Sequence, residues 1–311
     1  MSGENLMHDG WFAEDTTHGP VKVDTFDPSR PHEGKVLGIV QAHADDMPLC
    51  SGGLVAKLVA EGYKAFIIQT TNDEKCGAGS VADAIKSNEE DVEALAKSLD
   101  IEDVFNLGYR NHRQDENAII EQRCRLIFLF RHLRVDTVMS FHPWAKWEEN
   151  PDHYITGYAV ESACWIAGAA RSFPEQVQAG LAPHGVKDKY YWVMRPGSPY
   201  NHVTDISPFL DKKIESMATN KSQGPAGSHG RRLKERLANQ GLQLPELGDD
   251  DEMADRQYIR LFGLEENKRM GEPYGLEYAE YHYYFPPGGT FPWMATGERV
   301  EEYVKVHAVK I

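Results

Sequence analysis

Cysteine is scarce: Cys50, Cys76, Cys124 and Cys164 are the only four in 311 residues, and they lie far apart with no CxxC pair. That spacing excludes a disulfide framework and a cysteine zinc site, and it predicts reduced thiols, with Cys124 and Cys164 on helical core faces. Long apolar runs are also missing. No stretch approaches the ~20 residues that span a bilayer, and the opening "MSGENLMHDGWFAEDTTHG" has no basic start followed by an apolar segment. The expected location is therefore cytoplasmic, with no membrane contact. Basic residues are outnumbered, 33 lysines and arginines against 48 acids, for a net charge of −15. Such a surface repels polyanions, and the short "KDKYY" is no basic patch, so nucleic acid is not an expected partner. No internal repeat is visible. What is present is a globular composition, 41% hydrophobic and 26% charged, sufficient for one large domain or a domain with an appendage.

Strand and helix patterns alternate through the first two thirds of the chain. "KVLGIVQA" (35–42), "KAFIIQTT" (64–71), "DVFNLG" (103–108) and "DTVMSF" (136–141) are short apolar runs of the kind that form strands covered on both faces. Between them, "GGLVAKLVAEG", "VADAIKSNEEDVEALAKSL" and "AIIEQRCRLIFLFRHL" space apolar residues by three and four, as amphipathic helices do. A further helix is expected from about His153 through "YAVESACWIAGAA". This order predicts an α/β fold, a doubly wound, mostly parallel sheet with helices on both faces. "KYYWVM" reads as a later strand and "DKKIESMATNKSQ" as a helix, whereas "GPAGSHGRR" reads as a loop. The acids of "LPELGDDDEMAD" mark a solvated helix start. The aromatic "EYHYYFPPGGTFPW" is expected to wrap the core or meet a partner subunit. The division expected is an arm over 1–34, a Rossmann-like domain over 35–222 and a C-terminal helical or irregular extension over 223–311.

The chemistry concentrates in "GIVQAHADDMPLCSGG" (38–53), where His43, Asp45 and Asp46 follow the first of these strands. Loops at the carboxyl ends of strands are where open α/β sheets bind ligands. His43 and Asp46, three residues apart in a turn that enters a helix near Gly52, can converge on one ion. "SFHPWAKWEENPDHYITG" leaves the fourth strand and supplies His153 as a third ligand. Two imidazoles and a carboxylate are a donor set for a transition metal that keeps an open position for water. Asp45 then stands beside the ion unligated, and a spare carboxylate can move protons during hydrolysis. The competing reading is that Asp45 and Asp46 simply cap the next helix. It leaves His43 and the matching "PDH" without a role.

"AHADDMPLCSGG" resembles the AHPDDE motif of the LmbE-like, or PIG-L, deacetylase family, and "NPDH" resembles that family's HPDH motif. Weaker echoes are "TTND", "GYRN", "KSQ" and "YAEYHYYF". The resemblance implies a Rossmann-like fold and a zinc-dependent hydrolase, with another divalent ion such as Fe2+ as the alternative metal, acting on N-acetylglucosaminyl compounds. It implies His43, Asp46 and His153 as ligands, Asp45 as general base and a substrate-contacting arginine at Arg110, with Asn111 and Met47 beside the substrate. A surface ion pair is the competing role for Arg110. The implied partner is a small amide, an N-acetylated amino sugar, and relatives often form homo-oligomers. Asn88 stands about where the family's helix carries an arginine. Asn150 replaces the first histidine of HPDH, and asparagine donates a hydrogen bond to an oxyanion but carries no proton. Either Asp45 serves as both base and acid, or a histidine elsewhere acts, His142 first, then His112 or His282. Two alternatives stay open: a catalytically weakened metal- or sugar-binding protein, motivated by Asn150, and an Fe(II) oxygenase using His43, Asp45 and His153.

Overall fold

The structure, a computed structural model, describes residues 12–16, 20–223, 227–287 and 297–310. Among the described residues ten strands are formed: β1 (Phe12–Glu14), β2 (Lys22–Asp24), β3 (Val36–Gln41), β4 (Lys64–Thr71), β5 (Asp103–Tyr109), β6 (Thr137–Phe141), β7 (Asp188–Trp192), β8 (Ser198–Tyr200), β9 (His202–Asp205) and β10 (Ala279–Phe285). Eight of them make one sheet in the order β2-β9-β10-β7-β6-β3-β4-β5. The five strands from β7 to β5 pair in parallel, and β10 lies antiparallel between β7 and β9.

Helices α1 (Asp46–Ala60), α2 (Val81–Ser98), α3 (Ile119–Leu133) and α4 (Pro151–Ile166) make the crossovers. Leu54 and Val55 of α1 and Val92 and Leu95 of α2 cover one face, against Leu37, Ile39 and Ile67. Leu126, Ile127 and Phe130 of α3 and Ala159 and Val160 of α4 cover the other, against Val40, Ile68 and Val138. The two faces alternate along each strand, so both demand apolar side chains and the strands read as continuous hydrophobic runs. This is the α/β, mostly parallel arrangement expected. β3 is central: the chain leaves it outward to β4 and β5, then returns to β6 on its other side. Connections leaving β3 and β6 therefore diverge to opposite faces, and the crevice between them at the carboxyl edge is the switch point where ligands bind.

Several elements differ from the sequence reading. Helix α1 begins at Asp46, not near Gly52. Pro48 is tolerated because the first turn's N–H groups lack intrahelical partners in any case. Following α5 (Pro174–Gln178) and α6 (Leu210–Ala218), helix α7 (His229–Ala238) occupies part of the segment read as a loop. Its neighbour α8 (Asp251–Tyr258) starts, as expected, in the acidic run, with the Asp250 side chain accepting from the Met253 N–H at 2.7 Å. "AEYHYYF" is an internal strand, and β2 from the amino-terminal arm edges the same sheet. The turn-rich residues 288–293 of the aromatic tail lie outside the described residues. No helix among the described residues is long and apolar enough to cross a membrane.

The glycine pair after the site has a packing role. A Cβ on Gly53 would sit 2.5 Å from Ile206 Cγ2, and one on Gly52 2.6 Å from Ser216 Oγ, so α1 and the segment entering α6 approach as only glycine permits. Gly53→Ala is expected to destabilise the fold by about 1–3 kcal/mol through overpacking. Urea unfolding measures this, and an unchanged midpoint would show that the contact relaxes freely.

Candidate metal centre

The Asp46 carboxylate folds the loop after β3 onto itself. Its Oδ2 accepts the N–H groups of Ala42 at 3.1 Å and His43 at 2.7 Å. Its Oδ1 is left facing His153 Nε2 at 3.3 Å. His43 Nδ1 lies 3.2 Å from the same His153 nitrogen and 3.5 Å from Asp46 Oδ2. Each of the three side chains offers a ligand atom within 4.8 Å of the others, and all three are buried. The His153 ring is held at this spot by stacking on Phe141 of β6, centroids 4.3 Å apart.

Electrostatics follow from this crowding. Burial works against the Asp46 anion, yet the imidazoles of His153 and His43 hold its carboxyl well below the ordinary range. Burial is the largest influence on His153 and opposes its protonation, but the carboxylates of Asp46 and Glu148 together outweigh it and raise the ring to about 9. Asp45 is different. It occupies the N-cap position of α1 without a side-chain capping bond, and burial together with Asp46 pushes it up to about 7. The capping explanation for the acid pair therefore fails for Asp45, and Asp46 bonds backward into its own turn.

Two imidazole nitrogens facing each other at 3.2 Å beside a carboxylate can share a proton or accept a cation. The outer nitrogens favour the cation. His43 Nε2 lies 3.1 Å from Asp152 Oδ2, and His153 Nδ1 lies 3.3 Å from Glu148 Oε1. Carboxylates on the far side of ligating histidines orient the rings and leave the inner nitrogens free to bind. The residues present fit a zinc-type ion. A second grouping, His43 with His112 and Asp152, shares His43, whose Nε2 faces Asp152. There Asp152 is engaged by the N–H groups of His112 and Gln114, which tie the loop after β5 to α4.

The other expected site residues fall in distinct places. Asn150 caps α4, accepting from the Asp152 N–H at 3.0 Å, and this orients its Nδ2 to within 3.2 Å of His153 Nε2. Asn111 is fully buried with Nδ2 on Asp73 at 3.3 Å. Arg110 is exposed and pairs with Glu74 at 2.8 Å, the surface ion pair weighed against substrate contact. Met47, read as facing substrate, is instead fully buried in the apolar core, because the first turn of α1 directs it to the sheet. His142 makes its ring contacts with Trp144, Tyr191 and Tyr283 rather than with the histidine pair, because strand alternation turns it away from the Phe141 side. Burial lowers it to about 4. His282 is fully buried against Ser51, whereas exposed His112 has its ring 6.0 Å from that of His43. Asn88 donates to the carbonyls of Cys76 and Ala84 and so braces a loop.

Sequence reasoning gave no role to Asp73 of "TTND". It is fully buried, with φ +52°, and accepts from Ala44 N–H and Gln69 Nε2, both at 2.9 Å, thereby holding the His43 turn. Its signal was an acid directly after a strand at the same sheet edge.

Residues 39–164 match the family model described as PIG-L, GlcNAc-PI de-N-acetylase. Over these residues the chain resembles the PIG-L, or LmbE-like, deacetylase family. The diacetylchitobiose deacetylase of Thermococcus kodakarensis is 26% identical over 196 residues, covering 61% of this chain and 70% of the relative. The solved N,N'-diacetylchitobiose deacetylase of Pyrococcus horikoshii is similar in fold, with a TM-score of 0.65 at 20% identity over 84% of this chain and 88% of its own. GalB, the 4-carboxy-2-hydroxymuconate hydratase of Pseudomonas putida, shares the fold with a TM-score of 0.58 at 18% identity, over 82% of this chain and 98% of its own.

Proposed function

We propose that the protein is a metal-dependent N-deacetylase that hydrolyses the amide of an acylated amino sugar or a related small polar amide. The observation that carries this reading is the convergence of His43, Asp46 and His153 with a separate, half-buried Asp45 at the N-terminus of α1. His43, Asp46 and His153 would hold the ion, and zinc suits two imidazoles and a carboxylate. When bound, such an ion polarises a carbonyl and lowers the pKa of water.

The remaining work falls to side chains. Asp45, raised to about 7 and uncommitted to capping, accepts a proton from the attacking water and returns it to the departing amine. Asn150 Nδ2, fixed by its own cap bond, offers a hydrogen bond beside His153 to an oxyanion and no proton. With Asn150 in place of a histidine, Asp45 takes both proton transfers. The carboxylate within reach of both imidazoles is Asp46 rather than Asp45, which disfavours an iron oxygenase arrangement built on Asp45.

A fluorogenic free-amine assay over N-acetylglucosamine, N,N'-diacetylchitobiose and other N-acylated sugars tests the proposal. Amine and acetate are expected in equal amounts, lost on chelation and restored by zinc. Absence of amine release from every N-acyl sugar, by protein shown to carry its ion, would point to another reaction on this fold, hydration among them.

A further inference from the structure

The side chain of Glu148, in the segment between β6 and α4, is only 4% exposed, although the residue as a whole is half-buried. Arg195, from the loop after β7, grips it with both arms of the guanidinium, Nη2 to Oε1 at 2.8 Å and Nε to Oε2 at 3.1 Å. The Asn150 N–H donates to Oε1 at 3.0 Å, and His153 Nδ1 lies 3.3 Å from the same oxygen. The backbone is bent to deliver this carboxylate. Trp147, the residue before it, has φ +65°, a left-handed conformation rare for a bulky side chain, and leaves its indole 73% exposed while Glu148 turns inward.

We propose that Arg195 and Glu148 form a positioning relay that fixes the tautomer of His153. The inference rests on the reading that His43, Asp46 and His153 hold a divalent ion. A neutral imidazole carries one N–H, and the acceptor beside one nitrogen decides which nitrogen that is. Glu148 Oε1, 3.3 Å from Nδ1, favours the proton on that nitrogen and so leaves the Nε2 lone pair for the centre. Without it, Nε2–H would donate to Asp46 Oδ1, only 3.3 Å away, and a proton would occupy the ion's place. Arg195 keeps Glu148 from rotating, because a bidentate guanidinium–carboxylate pair is specific in geometry as well as strong. Glu148 and Arg195 act through His153 and are positioning residues.

The test is zinc affinity, measured by competition with a chromophoric chelator on purified, metal-stripped full-length protein. Glu148→Gln, of nearly equal shape, is expected to weaken zinc binding by about 10- to 100-fold, with Glu148→Asp recovering part of the loss. Arg195→Lys, which keeps the charge and loses the fork, is expected to fall between wild type and Glu148→Gln. The urea midpoint of the stripped protein separates a change in His153 from general loosening, and it should stay near wild type in Arg195→Lys. Wild-type affinity in both Glu148→Gln and Arg195→Lys overturns the relay while leaving the metal reading intact. A wild-type protein that binds no zinc removes both.

Discussion

Asp45→Asn is expected to lower amide hydrolysis by about 10²- to 10⁴-fold, the usual contribution of a positioned general acid–base group, while the protein retains its metal. The two outcomes separate because Asp45 and Asp46, though adjacent, are used differently. Asp46 is locked by two backbone N–H groups and faces both imidazoles, whereas Asp45 caps nothing. Asparagine has nearly the same shape and cannot accept the proton. Asp45 is raised to about 7, first by burial and then by the Asp46 anion. A cation beside Asp46 offsets that anion and favours ionised Asp45. The acid limb of kcat/KM is therefore expected below pH 7, with activity rising as the carboxyl deprotonates. Full turnover by Asp45→Asn would show that another group moves the protons. Loss of metal from this variant would mean that the roles of the two acids are misassigned.

Lys213→Met is expected to cost about 3–5 kcal/mol of stability, since it strands a buried carboxylate. Lys213, in α6, is fully buried and donates to the Leu49 carbonyl at 2.6 Å and to Glu280 of β10 at 2.8 Å. Glu280 in turn accepts the N–H groups of Gly53 at 3.1 Å and Leu54 at 2.7 Å. One ion pair thus joins α1, α6 and β10, and α1 is the helix that begins with Asp46. Urea unfolding measures the loss. Adding Glu280→Gln to Lys213→Met is expected to recover part of it, because the stranded charge is removed, and the double-mutant cycle isolates the coupling. Equal stability of Lys213→Met and wild type would show that Glu280 is satisfied by the two N–H groups alone.

The parts of this molecule that sequence reveals are those set by short-range pattern. The runs that became β3 to β6 and the amphipathic stretches that became α1 to α4 have local periodicity, and together they placed His43, Asp46 and His153 at one sheet edge. The insertion of β10 between β7 and β9 is not a local property, since its residues pair with partners 74 to 96 positions away and nothing in "AEYHYYF" names the neighbour. Side-chain direction was equally hidden. Met47 is separated from the site by one residue's rotation about α1, and His142 by one step of strand alternation after Phe141. Glu148 and Asp73 looked like ordinary acids because their importance lies in what they touch, Arg195 and His153 for one, the Ala44 N–H for the other. The start of α7 was masked by Gly, Ser and His, residues that favour turns when read alone.

The proposed hydrolysis depends on three side chains from two distant turns holding one divalent ion. Elemental analysis after zinc loading and desalting, on wild type and on His43→Ala and His153→Ala, tests that directly. One ion per chain is expected in the wild type and far less in either variant. A wild type that retains no ion, or variants that retain it undiminished, would contradict the assignment.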